Sequence, residues 1–219
     1  MRYIFNEQFY SIENVRVELY DGSGKFHSIS MEYNELYNQW EIECHIEVAR
    51  YKYVINDVIR LNDPATNQYV YDEKWEVWSV PNRDTLNTPY LSDYNISSGL
   101  ANGVNGSIRK TEYVYDRPID VYIGVDICKV KGLHTLTYIC FQPNGMIYMI
   151  EESSMGQFEQ SEADYEVVFK NRIKNIQGRY AEGMWTYQVY LDGKRIIKDY
   201  FVVKRKIMVN FKSKFRMND

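Results

Sequence analysis

The sequence predicts an all-β protein built as two immunoglobulin-like antiparallel β-sandwiches joined by a long loop or linker. Three observations predict it. Apolar and polar residues alternate with period two through much of the chain, as where Val15, Val17 and Leu19 interleave with Arg16, Glu18 and Tyr20, the pattern of half-buried strands. Aromatic residues fill 16% of the 219 positions, with 21 Tyr, and such rings suit a pleated, half-buried surface. Short strand-like runs are separated by Asp-Gly, Asn-Gly and Asn-Asp steps, which make tight turns. The length allows one large or two ordinary domains.

Taken in order, residues 1–13 either cover a sheet edge or form a tail. The Val15–Tyr20 run is the first strand, and Asp21-Gly22-Ser23-Gly24 turns it into a second near residues 25–33, because Gly supplies positive φ without steric cost. After a turn at residues 34–38, Trp40, Ile42, Cys44, Ile46 and Val48 alternate with Glu41, Glu43, His45 and Glu47. That run reads as one strand with an apolar and an acidic face. Tyr51, Tyr53 and Ile55 make the next strand, Asn56-Asp57 turns it, and Asn62-Asp63-Pro64 leads into a strand bearing Trp75 and Trp78. Residues 1–80 thus form the first sandwich.

From residue 81 to residue 110 the periodicity gives way to Asn, Ser, Gly, Asp and Pro. Nearly thirty residues is long for a connection inside one compact domain, so this is the boundary, as linker or ordered loop. Residues 111–219 form the second unit. Tyr113, Tyr115, Ile119, Val121, Ile123 and Val125 alternate, Lys131-Gly132 turns the chain, and Leu133 to Phe141 returns. Pro143-Asn144-Gly145 then opens a hairpin into residues 146–151. Residues 152–162 read as a polar loop, and 165–176 as a strand with charged interruptions or a short helix. The last hairpin pairs Trp185, Tyr187, Val189 and Leu191 across Asp192-Gly193 with Tyr200 to Val203.

The run Tyr51-Lys52-Tyr53-Val54-Ile55-Asn56-Asp57, followed by Asn62-Asp63-Pro64, resembles the carbohydrate-binding modules that precede the catalytic domain in glycogen-branching enzymes and isoamylases. A similar module occurs in the β subunit of AMP-activated kinase. The resemblance covers residues 14–80. It implies an α-glucan ligand, stacked on aromatic rings, with Lys52 matching the family's lysine as a hydrogen-bond donor. Where the family places its stacking tryptophans, this chain has Val58-Ile59-Arg60 and Gly24-Lys25-Phe26-His27. Substitute platforms are then Tyr69, Tyr71, Trp75 and Trp78. The second unit is similar in style to β-sandwich domains appended to sugar-utilising enzymes.

Charge and motifs narrow the other classes. Residues 1–80 carry a net charge of −7 and residues 118–219 one of +3. An acidic first unit argues against nucleic acid, whose phosphates need clustered Lys and Arg. The basic end at Lys204, Arg205, Lys206, Lys212, Lys214 and Arg216 is a solvated terminus or a contact for an acidic surface. Cys44, Cys128 and Cys140 lack Cys-x-x-Cys spacing, and His27, His45 and His134 share no ligand spacing, so neither a metal nor another cofactor is expected. No residue run resembles a signal peptide or a membrane span, which gives a soluble, cytoplasmic expectation without membrane partners. No Gly-x-Ser-x-Gly or facing carboxylate pair is visible. The expected function is non-catalytic α-glucan binding or targeting. The alternative is a structural or adaptor protein that meets a protein partner through its sheet edges or aromatic patches, or a second copy through its sheet edges.

Overall fold

In the computed structural model the described residues are 1–6, 12–66, 68–81, 89–98, 112–115, 119–156, 161–173 and 182–205. They form seventeen strands and no helix. The first half contains β1 (Arg2–Phe5), β2 (Val15–Asp21), β3 (Phe26–Ser30), β4 (Glu32–Asn34), β5 (Gln39–Glu43), β6 (Val48–Ile55), β7 (Ile59–Leu61), β8 (Tyr69–Tyr71) and β9 (Val77–Ser79). The second half contains β10 (Tyr90–Ser98), β11 (Glu112–Tyr115), β12 (Ile119–Val130), β13 (His134–Phe141), β14 (Ile147–Met155), β15 (Ala163–Ile173), β16 (Gly183–Leu191) and β17 (Lys194–Arg205).

Four sheets result, with strand orders β1-β5-β4, β3-β2-β6-β9-β8 with β7 on β6, β10-β12-β15, and β11-β17-β16-β13-β14. All pairs are antiparallel except β11 with β17. Two cores follow from the alternation. Val121, Ile123, Val125 and Phe169 face Leu136, Tyr138, Cys140, Trp185, Tyr187 and Phe201 in the second unit. Tyr3 and Phe5 face Val17, Leu19, Tyr51, Tyr53 and Ile55 in the first. The all-β class read from the period-two pattern is the class observed.

The two cores are joined through one sheet. All eight residues of β13 are buried. Its even-numbered apolar residues Leu136, Tyr138 and Cys140 enter the second core, while Ile139 and Phe141, with Tyr190 of β16, enter the first. A strand buried on both faces has no solvent side. The central sheet is therefore shared by both units.

The tip of the β16–β17 hairpin completes the junction. Asp192 and Gly193 have φ of 52° and 92°, as the Asp-Gly turn demands. A Cβ on Gly193 would lie 1.8 Å from the carbonyl oxygen of Asn62, so this turn rests directly on the Asn62-Asp63-Pro64 loop. Asn62 donates from Nδ2 to Thr135 Oγ1 at 3.1 Å. Asp192 accepts the Thr135 N–H at 2.9 Å and lies 2.7 Å from His134 Nδ1. On the first-unit side, Asp63 Oδ2 accepts the Tyr51 hydroxyl at 2.7 Å and the Tyr53 hydroxyl at 3.0 Å.

Several sequence expectations are corrected. The run expected as one strand from Trp40 to Val48 is two, because the chain crosses between sheets at residues 44–47, where Cys44 N–H donates to Met1 O at 2.8 Å and Gly22 N–H to Glu47 O at 3.1 Å. The start of the expected loop at residues 152–162 is instead the end of β14, since pairing with β13 satisfies its backbone while its polar side chains point outward. The ambiguous 165–176 run is strand β15 through Ile173. Within the segment 81–110, residues 90–98 form β10 on the edge of β12 rather than a loop, while 82–88 and 99–110 lie outside the described residues. The N-terminal residues form β1, with Tyr3 and Phe5 buried. The basic residues from Lys206 onward also lie outside the described residues.

Candidate functional site

The β8–β9 connection is a tight turn built by Asp72. Its Oδ1 accepts the N–H groups of Lys74 and Glu76, both at 2.9 Å, and its carbonyl accepts the Trp75 N–H at 3.1 Å. Its Oδ2 accepts the Trp78 indole N–H at 3.1 Å. Burial works against the carboxylate, but the N–H donors of Glu76, Lys74 and Trp78 outweigh it and hold the Asp72 pKa below the ordinary value. The consequence is a fixed turn that projects Trp75 into solvent. Trp75 is 73% exposed and has φ of 64°, the left-handed region that a bulky residue rarely occupies.

Beside it, the Tyr71 ring meets Trp75 edge-on, with centroids 5.6 Å apart. The Tyr71 hydroxyl donates to Ser154 Oγ at 2.8 Å, which carries the aromatic pair across to β14 of the second unit. Two residues earlier on the same strand, Glu152 accepts from Lys52 Nζ at 3.2 and 3.5 Å. The structure thus brings Trp75, Tyr71, Ser154, Glu152 and Lys52 to one seam between the units.

Of the residues expected to bind ligand, Trp75 and Tyr71 are presented there. Lys52 is only 2% exposed and its ammonium is committed to Glu152, so it supports the seam and does not offer a donor at the surface. Trp78 is 2% exposed and is surrounded by cations, with Arg60, Arg50 and Lys52 at 5.1, 5.8 and 5.9 Å from its ring centroid. It is a packing centre and not a stacking platform. Tyr69 is buried against His134, and its hydroxyl donates to the carbonyls of Thr66 and Asp63 at 2.8 and 3.1 Å. Burial pushes its pKa far above the ordinary value. The sequence shows Glu152 only as one of a pair of adjacent carboxylates and carries no local signal that places it or Ser154 at this seam. Among the described residues no group of three or more His, Cys, Asp or Glu could hold a metal ion. No helix among the described residues is long and apolar enough to cross a membrane.

A second exposed aromatic surface lies at the tip of the β4–β5 hairpin. Tyr33 and Trp40 lie 5.3 Å apart, and beyond them Leu36 is 82% exposed and Tyr37 is also exposed. Glu32, Glu35 and Glu41 sit on the same hairpin. Hydrogen bonds from Asn34, Arg2 and Gln39 hold the Glu41 pKa down to about 2.

No family model matches the sequence, and no curated protein matches it. Among solved structures, the chain is similar to a β-glucuronidase from Bacteroides uniformis, at 11% identity and a TM-score of 0.35, over 91% of this chain and 25% of that one. It is similar to a putative β-galactosidase from Bacteroides fragilis at 15% identity and a TM-score of 0.33, over 93% and 32% of the two chains. A member of glycosyl hydrolase family 2 from Bacteroides cellulosilyticus gives 11% identity and a TM-score of 0.34, over 93% and 28%. The chain spans about a quarter to a third of the length of these three proteins. Likenesses this loose imply no shared activity or ligand.

Proposed function

We propose that the protein is a non-catalytic carbohydrate-binding protein, with α-glucan as the ligand class and Trp75 as the platform on which a sugar ring stacks. The observation that carries this reading is Trp75 itself. A Trp that is 73% exposed gains little from burial, and φ of 64° costs it about 1 to 2 kcal/mol relative to a residue such as Gly. Backbone preference does not account for Trp at this position and packing supplies the edge contact with Tyr71, while strained backbone positions cluster at active and ligand sites. The resemblance of residues 51–64 to glycogen-binding modules supports the same class. A reducing, cytoplasmic setting belongs to this reading, in keeping with the free thiols of Cys44, Cys128 and Cys140.

The test is the electrophoretic mobility of the full chain in native gels with and without soluble glycogen. Wild-type protein is expected to be retarded, and Trp75→Ala to lose about 2 kcal/mol of binding, roughly thirtyfold in affinity. Its melting temperature should stay near wild type, because the ring is exposed. Equal retardation of the two proteins, or none of either, overturns the reading.

One observation favours the alternative of a structural or adaptor protein. The Leu36 and Tyr37 tip is an exposed apolar surface in an acidic setting, and such patches mark protein contacts. A Leu36→Ser, Tyr37→Ser variant that loses a pulled-down partner, while glycogen leaves the wild type unretarded, would establish that role.

A further inference from the structure

We infer that the ligand site is composite, with its aromatic half on the first unit and its hydroxyl-reading half on β14 of the second, and that it selects neutral glycans over anionic ones. This rests on the carbohydrate-binding reading above and names the part of the site that fixes the substrate class.

A sugar presents an apolar face and a rim of hydroxyls that both donate and accept. Trp75 and Tyr71 supply the apolar contact. The next polar group along the seam is the Tyr71–Ser154 hydroxyl pair. Each hydroxyl has one donor and two acceptor positions. With Tyr71 donating to Ser154, the exposed Ser154 keeps its own proton and a lone pair for a ligand. Glu152 follows, two residues back on β14, with its side chain 27% exposed and Lys52 behind it at 3%. The buried ammonium holds the carboxylate in place, but it is the carboxylate that faces outward.

The charged group that this stretch of β14 presents outward is therefore a carboxylate, ion-paired with the ammonium behind it. Glu152 accepts hydroxyl donors and repels a uronate or sulfate, since like charges brought together at an interface are strongly unfavourable. The formal net charge of −4 over the whole chain acts in the same direction at longer range. Neutral glycans meet acceptors at Ser154 and Glu152, whereas polyanions meet an opposing carboxylate.

The experiment compares soluble glycogen with polygalacturonate in native gels of the full chain. The proteins are wild type, Trp75→Ala and a Tyr71→Phe, Ser154→Ala double variant, with a thermal melt of each to establish folding. Glycogen is expected to retard wild type, the double variant to bind about tenfold more weakly, and polygalacturonate to leave mobility unchanged. Trp75-dependent glycogen retardation that is unaltered in the double variant overturns the composite site alone. Polygalacturonate retardation equal to that by glycogen overturns the selectivity. Absence of glycogen retardation, or retardation indifferent to Trp75→Ala, overturns the carbohydrate reading and this inference with it.

Discussion

Gly193 shows how one residue governs the contact between the two units. Its φ of 92° already disfavours any side chain, and the position of its missing Cβ is taken by Asn62 O at 1.8 Å. Gly193→Ala must therefore strain the turn and push the hairpin off the loop. A loss of about 2 to 4 kcal/mol is expected from these combined mechanisms, read as a lowered urea midpoint. His134 sits in the same contact, within reach of Asp192 on the β16–β17 turn, the Lys131 carbonyl and the Tyr69 ring. Burial opposes the imidazolium, but the hydrogen bond and charge of Asp192 outweigh it, and the His134 pKa is raised above 6.5. The folded protein thus holds this proton more tightly than the unfolded chain. The resulting stability is complete below the ordinary value and is lost as pH rises through the raised one. Melting temperature should fall as pH rises from about 6.5 through the raised His134 value, and His134→Gln should remove that step. A wild-type profile identical to that of the variant would contradict the role of His134.

At the scale of elements, turns and strands with two different faces were legible in the sequence. Asn56-Asp57 adopts φ of 50° and 60°, and Gly145 and Gly193 adopt 83° and 92°, where the local chemistry called for positive φ. Elements whose environment is set from afar were not legible. β13 is buried on both faces, although Thr135 and Thr137 put polar side chains on the face that also carries Ile139 and Phe141. The end of β14 reads as loop because Glu152 to Ser154 carry no apolar residue, and only pairing with β13 makes them a strand. The site divides in the same way. Trp75 and Trp78 are three residues apart, but one lies in the turn and the other on β9, so their opposite exposure depends on where the turn ends. Ser154 reaches Tyr71 across 83 positions and Glu152 reaches Lys52 across 100. No local pattern encodes pairings of that span.

For the whole molecule, the shared central sheet ties the stability of the two units together. Ile139, Phe141 and Tyr190 belong by connectivity to the second unit and by packing to the first core. The junction adds buried polar partners that would be unsatisfied if the units parted, among them Asn62, Asp192 and Thr135, and exposing or orphaning such groups is unfavourable. Neither half can then melt while the other keeps its full core. Differential scanning calorimetry should show one transition with matching calorimetric and van't Hoff enthalpies. Ile139→Ala, a fully buried site, should cost about 2 to 5 kcal/mol and lower that single transition by several degrees without splitting it. Two resolved transitions in either protein would mean that the units fold independently. In that case the seam carrying Trp75, Tyr71 and Ser154 would not be held in one geometry, and a ligand would have to order it on binding.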